Sequence, residues 1–349
     1  MSQNLQSGLL WMSALAAAGL LLSWWLTARM HRYARAMQLL DHPNERSSHS
    51  VPTPRGGGVA IVASFTLMLG ALGLSAKVDT GLCLALLGSG LLVAMLGFVD
   101  DRRGLPARVR FLGHAAAAAW ALFWMGRLPP IPVFGMAFDL GLATSMLAAV
   151  YMIWSINLFN FMDGIDGIAS LEAISVALGG ALIWWLAQPA GDWPVAGLFA
   201  ACVGGFLIWN FPPARIFMGD AGSGFLGLVV ALLALWSARS VPVLFWAWII
   251  LNGCFMVDAT TTLLRRVRRG ERFHEAHRNH AYQYASRLYG SHKRVSLVVF
   301  AINLLWLLPW AVAVTLGVLD GLAALLLAYA PLLWLVFRFK AGDRAAQGA

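Results

Sequence analysis

Asp100 and Asp101 stand side by side in GFVDDRRG, at the end of an apolar run. Adjacent carboxylates repel, so one of such a pair is readily held by a cation or kept protonated. One could serve as a base while the other holds metal-associated charge; two surface charges beside Arg102 and Arg103 are the plainer reading. A second group, Asn157, Asn160, Asp163 and Asp166, lies in NLFNFMDGIDG. Side chains three apart neighbour one another on a helix. Polar groups ending an apolar helix need partners, either substrate and metal or another helix. Gly164 and Gly167 allow a tight turn beside them. The third group is FMGDAGSGFLG. Asp220 offers a hard oxygen ligand to Mg²⁺, and glycines at a helix start let backbone amides approach a phosphate. A glycine-rich start capped by Asp220 is the alternative.

Two further groups are basic. RSSHSVPTPRGGG, from Arg46 to Gly58, combines Arg46, His49 and Arg55 with three glycines. That composition suits phosphate or nucleotide contacts, or a loop resting on anionic lipid. HRNHAYQ presents His277, Arg278 and His280, followed by Tyr282 and Gln283. Two histidines three apart without a third ligand are weak evidence for zinc, and phosphate contact is the preferred reading. Glu172 and Asp258 fall inside apolar runs, where a charge is costly and suspected of function. Each lies a turn or two from a helix end, so pairing with an Arg is expected.

These residues need elements to hold them, and composition says which. Of 349 residues 60% are hydrophobic and 12% charged, with a mean hydropathy of +0.71. Soluble domains are about 45–50% apolar and about 25% charged, so a water-soluble fold is excluded. A spanning helix needs about 20 mostly apolar residues. Candidates fall near 8–28, 56–76, 80–99, 110–126, 141–161, 165–187, 193–210, 222–237, 241–264, 294–317 and 319–337. The first has no basic flank before it and reads as a permanent helix, not a cleaved signal. Loops after odd-numbered spans, with the C-terminal tail, hold 22 of the 25 Lys and Arg; Lys77, Arg127 and Arg239 are the rest. Basic residues mark cytoplasmic loops, so the N-terminus is expected outside and the C-terminus in the cytoplasm. The net charge of +9 thus reports topology, not nucleic-acid binding. Cys83, Cys202 and Cys254 read as buried, inert thiols. Asp79, Asp139, Asp192 and Asp320 fall in outer loops as ordinary solvated charges. The expected fold is an all-α integral membrane protein of about 11 transmembrane helices. It is one polytopic domain over 1–349, with active loops 29–55, 100–110, 161–166, 211–222 and 265–293 on the cytoplasmic face.

PTPRGGG, GFVDDRRG, NLFNFMDGIDG, FMGDAGSG and HRNHAYQ occur in this order between about residues 41 and 284. In that order they resemble the motifs of the polyprenyl-phosphate N-acetylhexosamine-1-phosphate transferases, glycosyltransferase family 4. The resemblance implies an enzyme of the bacterial inner membrane working on undecaprenyl phosphate and a UDP-N-acetylhexosamine. It implies that Asp220 binds Mg²⁺ (or Mn²⁺) with Asn160, and that Asp100 orients or deprotonates the lipid phosphate with Asp101 beside it. Asp163 matches a further polar position of the pattern. The segment His277–His280 would hold the donor's phosphates, with Arg46, His49, Arg55, Asn157 and Arg278 as further substrate contacts. The phospho-MurNAc-pentapeptide branch has three successive histidines where this chain has HRNHAYQ. That departure puts a peptidoglycan role in doubt and resembles the O-antigen-initiating branch. Oligomeric state is not legible, although the resemblance is compatible with a homodimer. A transporter is the rival class. It would place polar groups near the midplane, often within inverted repeats, whereas here they crowd at helix ends and no repeat is evident.

Overall fold

The computed structural model describes residues 3–43, 51–271 and 278–343, with side chains from Trp11 onward in the first helix. Most of it is helix, as a membrane-spanning stretch must be where no water is present to satisfy backbone N–H and C=O groups. In chain order come α1 (Gln3–Ala36), a two-residue pair of strands β1 (Leu40–Asp41) and β2 (Thr53–Pro54), α2 (Gly58–Leu74), α3 (Thr80–Arg103) and α4 (Ala107–Met125). A hairpin of β3 (Ile131–Val133) and β4 (Met136–Phe138) follows, then α5 (Leu142–Met162), α6 (Ile168–Ala187), α7 (Pro194–Asn210) and α8 (Asp220–Ser240). The chain ends with α9 (Leu244–Leu251), α10 (Gly253–Arg268), α11 (Ala281–Tyr289), α12 (His292–Ile302), α13 (Leu308–Thr315) and α14 (Gly321–Arg338).

Helices lie at each of the eleven expected positions. Among the described residues seven are long and apolar enough by themselves to cross a membrane, or eight when a bent pair counts as one. α2 and α7 are shorter, at 17 residues each. The run 241–264, read as one span, is broken: α9 and α10 meet at 73°. Asn252 leaves the helical region there, with φ −85° and ψ 17°, and Gly253 lets the Tyr329 ring close on the backbone. The run 294–317 is interrupted by a π turn at Asn303–Leu307. Pro309 explains it, since a proline within a helix removes an N–H and crowds the preceding turn. The expected loops also shrink. α1 runs to Ala36, α3 to Arg103 and α4 starts at Ala107, while 265–293 contains α11 and both of its neighbours' ends.

α8 is the axis of the bundle. Its apolar stretch is wholly buried, and α2, α3, α5, α6 and α9 pack on it. Small residues permit that crowding: a Cβ on Gly227 would strike the Ser155 carbonyl, and one on Gly222 would strike Gly58.

Each end of the bundle is tied by its own polar contacts. At one end Asp79 caps α3 through Gly81 N–H at 2.7 Å, and Asp192 accepts from Asp79 N–H and Trp236 Nε1–H. Asp139 pairs with Arg127 at 2.6 Å, and Asp320 caps α14 while accepting from Phe134 N–H of the hairpin. These four aspartates are therefore helix caps and loop ties, not merely solvated charges. The opposite end gathers the start of α8, the ends of α3 and α5, and the loop before α2.

Candidate active site

Two loops far apart in sequence form the floor of this end. Phe217 N–H donates to Pro54 O at 2.8 Å, while Gly56 and Gly57 N–H donate to Phe217 O at 3.1 and 2.9 Å. Gly58 N–H donates to Met218 O at 2.9 Å. The glycine amides of PTPRGGG are spent on this seam. Gly56, with φ +97°, makes the turn that aims Arg55 inward.

Arg55 then meets the acidic cluster. One guanidinium nitrogen lies 2.8 Å from both Asp101 Oδ1 and Asp220 Oδ1. Burial alone would lower its pKa, but the carboxylates of Asp101, Asp220, Asp41 and Asp163 outweigh that and hold it above the ordinary value. Asp101 also accepts from Asp220 N–H at 3.0 Å and Ala221 N–H at 3.3 Å. A carboxylate from α3 thus caps α8, where free amides and the helix dipole favour an anion.

Asp100 and Asp101, neighbours in sequence, do different work. Asp100 accepts from Leu105 N–H at 2.5 Å and from Arg110 at 3.0 Å. It lines a cleft of about 310 Å³ together with Asn157, Asn160 and Asp220. Much of the remaining wall is apolar, with Val93, Leu96, Phe111, Trp154, Ile156 and Leu263. Asn160 donates to Ser223 Oγ at 3.3 Å, and Asn157 to Ile153 O within its own helix at 2.7 Å.

Asp163 ends α5 and sits in the turn closed by Gly167 at φ +74°. Burial pushes its carboxyl well above the usual carboxylate range; Arg55 opposes this, and Asp220, Asp101 and Asp166 add to it. Asp166 itself accepts from Ala214 N–H at 3.0 Å and faces His292 at 3.3 Å.

None of the described residues of the fifth motif lines the cleft. His280 is 2% exposed and turns its Nδ1 to Asp258 at 3.3 Å. The Arg278 carbonyl accepts from Arg287 at 3.3 Å. Arg46, His49 and His277 lie outside the described residues. Among the described residues, the two intramembrane acids do not pair with arginine as expected. Glu172 accepts from Asn303 at 2.6 Å, and Asp258 serves His280 and the start of α11.

Arg110 and His114 join the cleft without having been singled out in the sequence. Their spacing of four puts them on one face of α4, a signal that was available. As for a metal, no trio of described His, Cys, Asp or Glu side chains could hold one unaided. The oxygens of Asp220 and Asn160 are nevertheless hard donors on one cleft. That partial set fits Mg²⁺, which keeps water and shares substrate phosphates instead of filling an all-protein cage.

Comparison with known proteins agrees with the geometry. The family model described as glycosyl transferase family 4 matches residues 83–238. The chain is 30% identical over 329 residues to a decaprenyl-phosphate N-acetylglucosaminephosphotransferase of Mycobacterium tuberculosis (strain CDC 1551 / Oshkosh), covering 82% of this chain and 79% of that one. A protein of the same name from Mycolicibacterium smegmatis is 31% identical over 294 residues, covering 74% and 71%. A phospho-N-acetylmuramoyl-pentapeptide-transferase of Moorella thermoacetica is 33% identical over 189 residues, covering 50% and 58%. With its motif order and these long matches, the chain belongs to glycosyl transferase family 4, the polyprenyl-phosphate N-acetylhexosamine-1-phosphate transferases.

Proposed function

We propose that this protein transfers an N-acetylhexosamine-1-phosphate from a UDP-sugar to undecaprenyl phosphate, releasing UMP. An oxygen of the lipid phosphate attacks the sugar-linked phosphorus of the donor. The bond from that phosphorus to UMP breaks, and a lipid-diphospho-sugar forms. The observation that carries this reading is the cleft itself, which joins Asp100, Asn157, Asn160 and Asp220 to an apolar wall between helices. An amphipathic cleft of that kind fits a phosphate at its polar end and a prenyl chain along its wall.

Asp220 and Asn160 would hold Mg²⁺, or Mn²⁺ in its place, which when bound offsets the charge on the donor diphosphate. Asp100, held by Arg110, would orient the acceptor phosphate or take its proton. Positioning and electrostatics carry most of such a phosphoryl transfer. The positive-inside bias of the loops favours an inner-membrane enzyme with this end facing the cytoplasm, where a soluble nucleotide-sugar is available. The relatives' names favour UDP-GlcNAc as donor. HRNHAYQ favours the O-antigen-initiating branch, where 6-deoxy donors such as UDP-FucNAc or UDP-QuiNAc also belong. The test is purified protein with lipid phosphate, Mg²⁺ and a panel of UDP-sugars. UMP release that survives both Asp100→Ala and Asp220→Ala overturns the assigned roles, and release with none of the sugars overturns the reaction.

A further inference from the structure

Asp258 lies inside the broken span, 4% exposed, and no step above uses it. Its carboxylate is nonetheless fully engaged. Oδ1 accepts from Ala281 N–H at 3.0 Å and from Thr262 Oγ1–H at 3.1 Å, and faces His280 Nδ1 at 3.3 Å. Oδ2 accepts from Tyr282 N–H at 3.1 Å. A carboxylate on a membrane helix thus caps the first turn of α11, meeting amides that have no partner within that helix. His280 and Gln283 complete the cap with a reciprocal pair of bonds.

From α11 the contacts cross to the acidic cluster. The Tyr282 hydroxyl donates to Phe161 O at 3.1 Å. It lies so close to Gly164 that a Cβ there would strike it. Phe161 and Gly164 bracket Asp163, which lies within electrostatic reach of Asp220 and Asp101. One end of this path is a buried charge in the span, where charge is costly unless it has a task. The other end is the turn that shapes the cluster.

We propose that Asp258 is a positioning residue for donor binding. It fastens α11 to the broken span, so that Tyr282 holds the Asp163 turn, and the Arg278–His280 segment stays at a fixed place beside it. The donor clause rests on the transferase reading; the fastening does not.

Asp258→Asn keeps the shape but turns an amide NH₂ toward a backbone N–H, so a backbone donor at the start of α11 loses its acceptor. Tyr282→Phe cuts only the later link to Phe161. Two readouts separate the claims. In substrate-free protein, amide hydrogen exchange across 161–168 is expected to rise at least about threefold in both variants, while 79–83 at the opposite end is unchanged. With UDP-sugar, KM for the donor is expected to rise about tenfold while kcat and the lipid KM move less than about threefold. Because the links are in series, the double variant is no worse than Asp258→Asn. Unchanged exchange at 161–168 in Tyr282→Phe overturns the path even if Asp258→Asn does not fold. Raised exchange with an unchanged donor KM overturns the donor clause. If the parent releases no UMP the transferase reading fails, and exchange still decides the fastening.

Discussion

Arg55→Met removes the guanidinium that bridges Asp101 and Asp220 at 2.8 Å each. Two unit charges about 4 Å apart attract by about 4 kcal/mol at an effective dielectric of about 20. The Arg55 side chain is 39% exposed and that of Asp220 24%, so water screens much of this attraction. Exposed pairs are worth about 0–1 kcal/mol, and breaking a buried one costs about 3–5 kcal/mol. For two half-buried contacts the expected loss is about 2–4 kcal/mol, since two carboxylates are left facing each other at the start of α8. At about 2.1 cal/mol/K of unfolding entropy per residue, that is a fall of about 3–5 °C in the unfolding midpoint of a chain this long, followed by tryptophan fluorescence in detergent with EDTA. Mg²⁺ is expected to stabilise the variant more than the parent, because a cation held near Asp220 would supply positive charge that the guanidinium already gives the parent. Arg55→Lys, with a single point charge, is expected to fall between the two. A midpoint within about 1 °C of the parent in EDTA, or equal Mg²⁺ responses, would refute the reasoning that Arg55 neutralises the cluster.

Asp220→Asn is expected to reduce UMP release by about 10²–10³-fold, the range for losing one preorganised electrostatic group, and EDTA is expected to silence the parent until Mg²⁺ is returned. In metal-free protein, burial holds the Asp163 proton more tightly in the folded state than in the unfolded one. Stability therefore falls as pH rises from about 4 toward the raised value. Asp163→Asn is expected to flatten that fall, matching the parent near pH 4 and exceeding it at neutral pH; equal stability at both would count against it. Asn303→Ala leaves Glu172 Oε2 without its 2.6 Å donor, at an expected cost of about 1–3 kcal/mol. Glu172→Gln keeps an acceptor there and is expected to cost less, as chemical denaturation of the two would show.

Sequence and structure agree where the signal is local. Runs of apolar residues locate the helices, because each segment must satisfy its own backbone in lipid, and the motifs name Asp100, Asn160 and Asp220 on one cleft. What was not legible is contact between distant segments. Arg55 and Asp220 are 165 residues apart, and nothing in PTPRGGG says that its glycine amides bind Phe217 and not a phosphate. Asp100 and Asp101 read as twins, yet successive helix residues point about 100° apart, so one faces the cleft and the other α8. The bend at Asn252 was hidden because residues on both sides are apolar. The contact of His280 with Asp258 was hidden because the two lie in different elements.

The central place of α8 carries a consequence for how the molecule is made. Chains emerge from the ribosome N-terminus first, so α2 to α7 are synthesised before α8 exists. Until then Gly56, Gly57 and Gly58 have no Phe217 and Met218 carbonyls to bind, and Asp101 has no helix start to cap. The early helices can pair among themselves, α1 with α7 and α3 with α4, but without their shared axis. The acidic cluster can therefore take shape only once α8 has followed the seven helices before it.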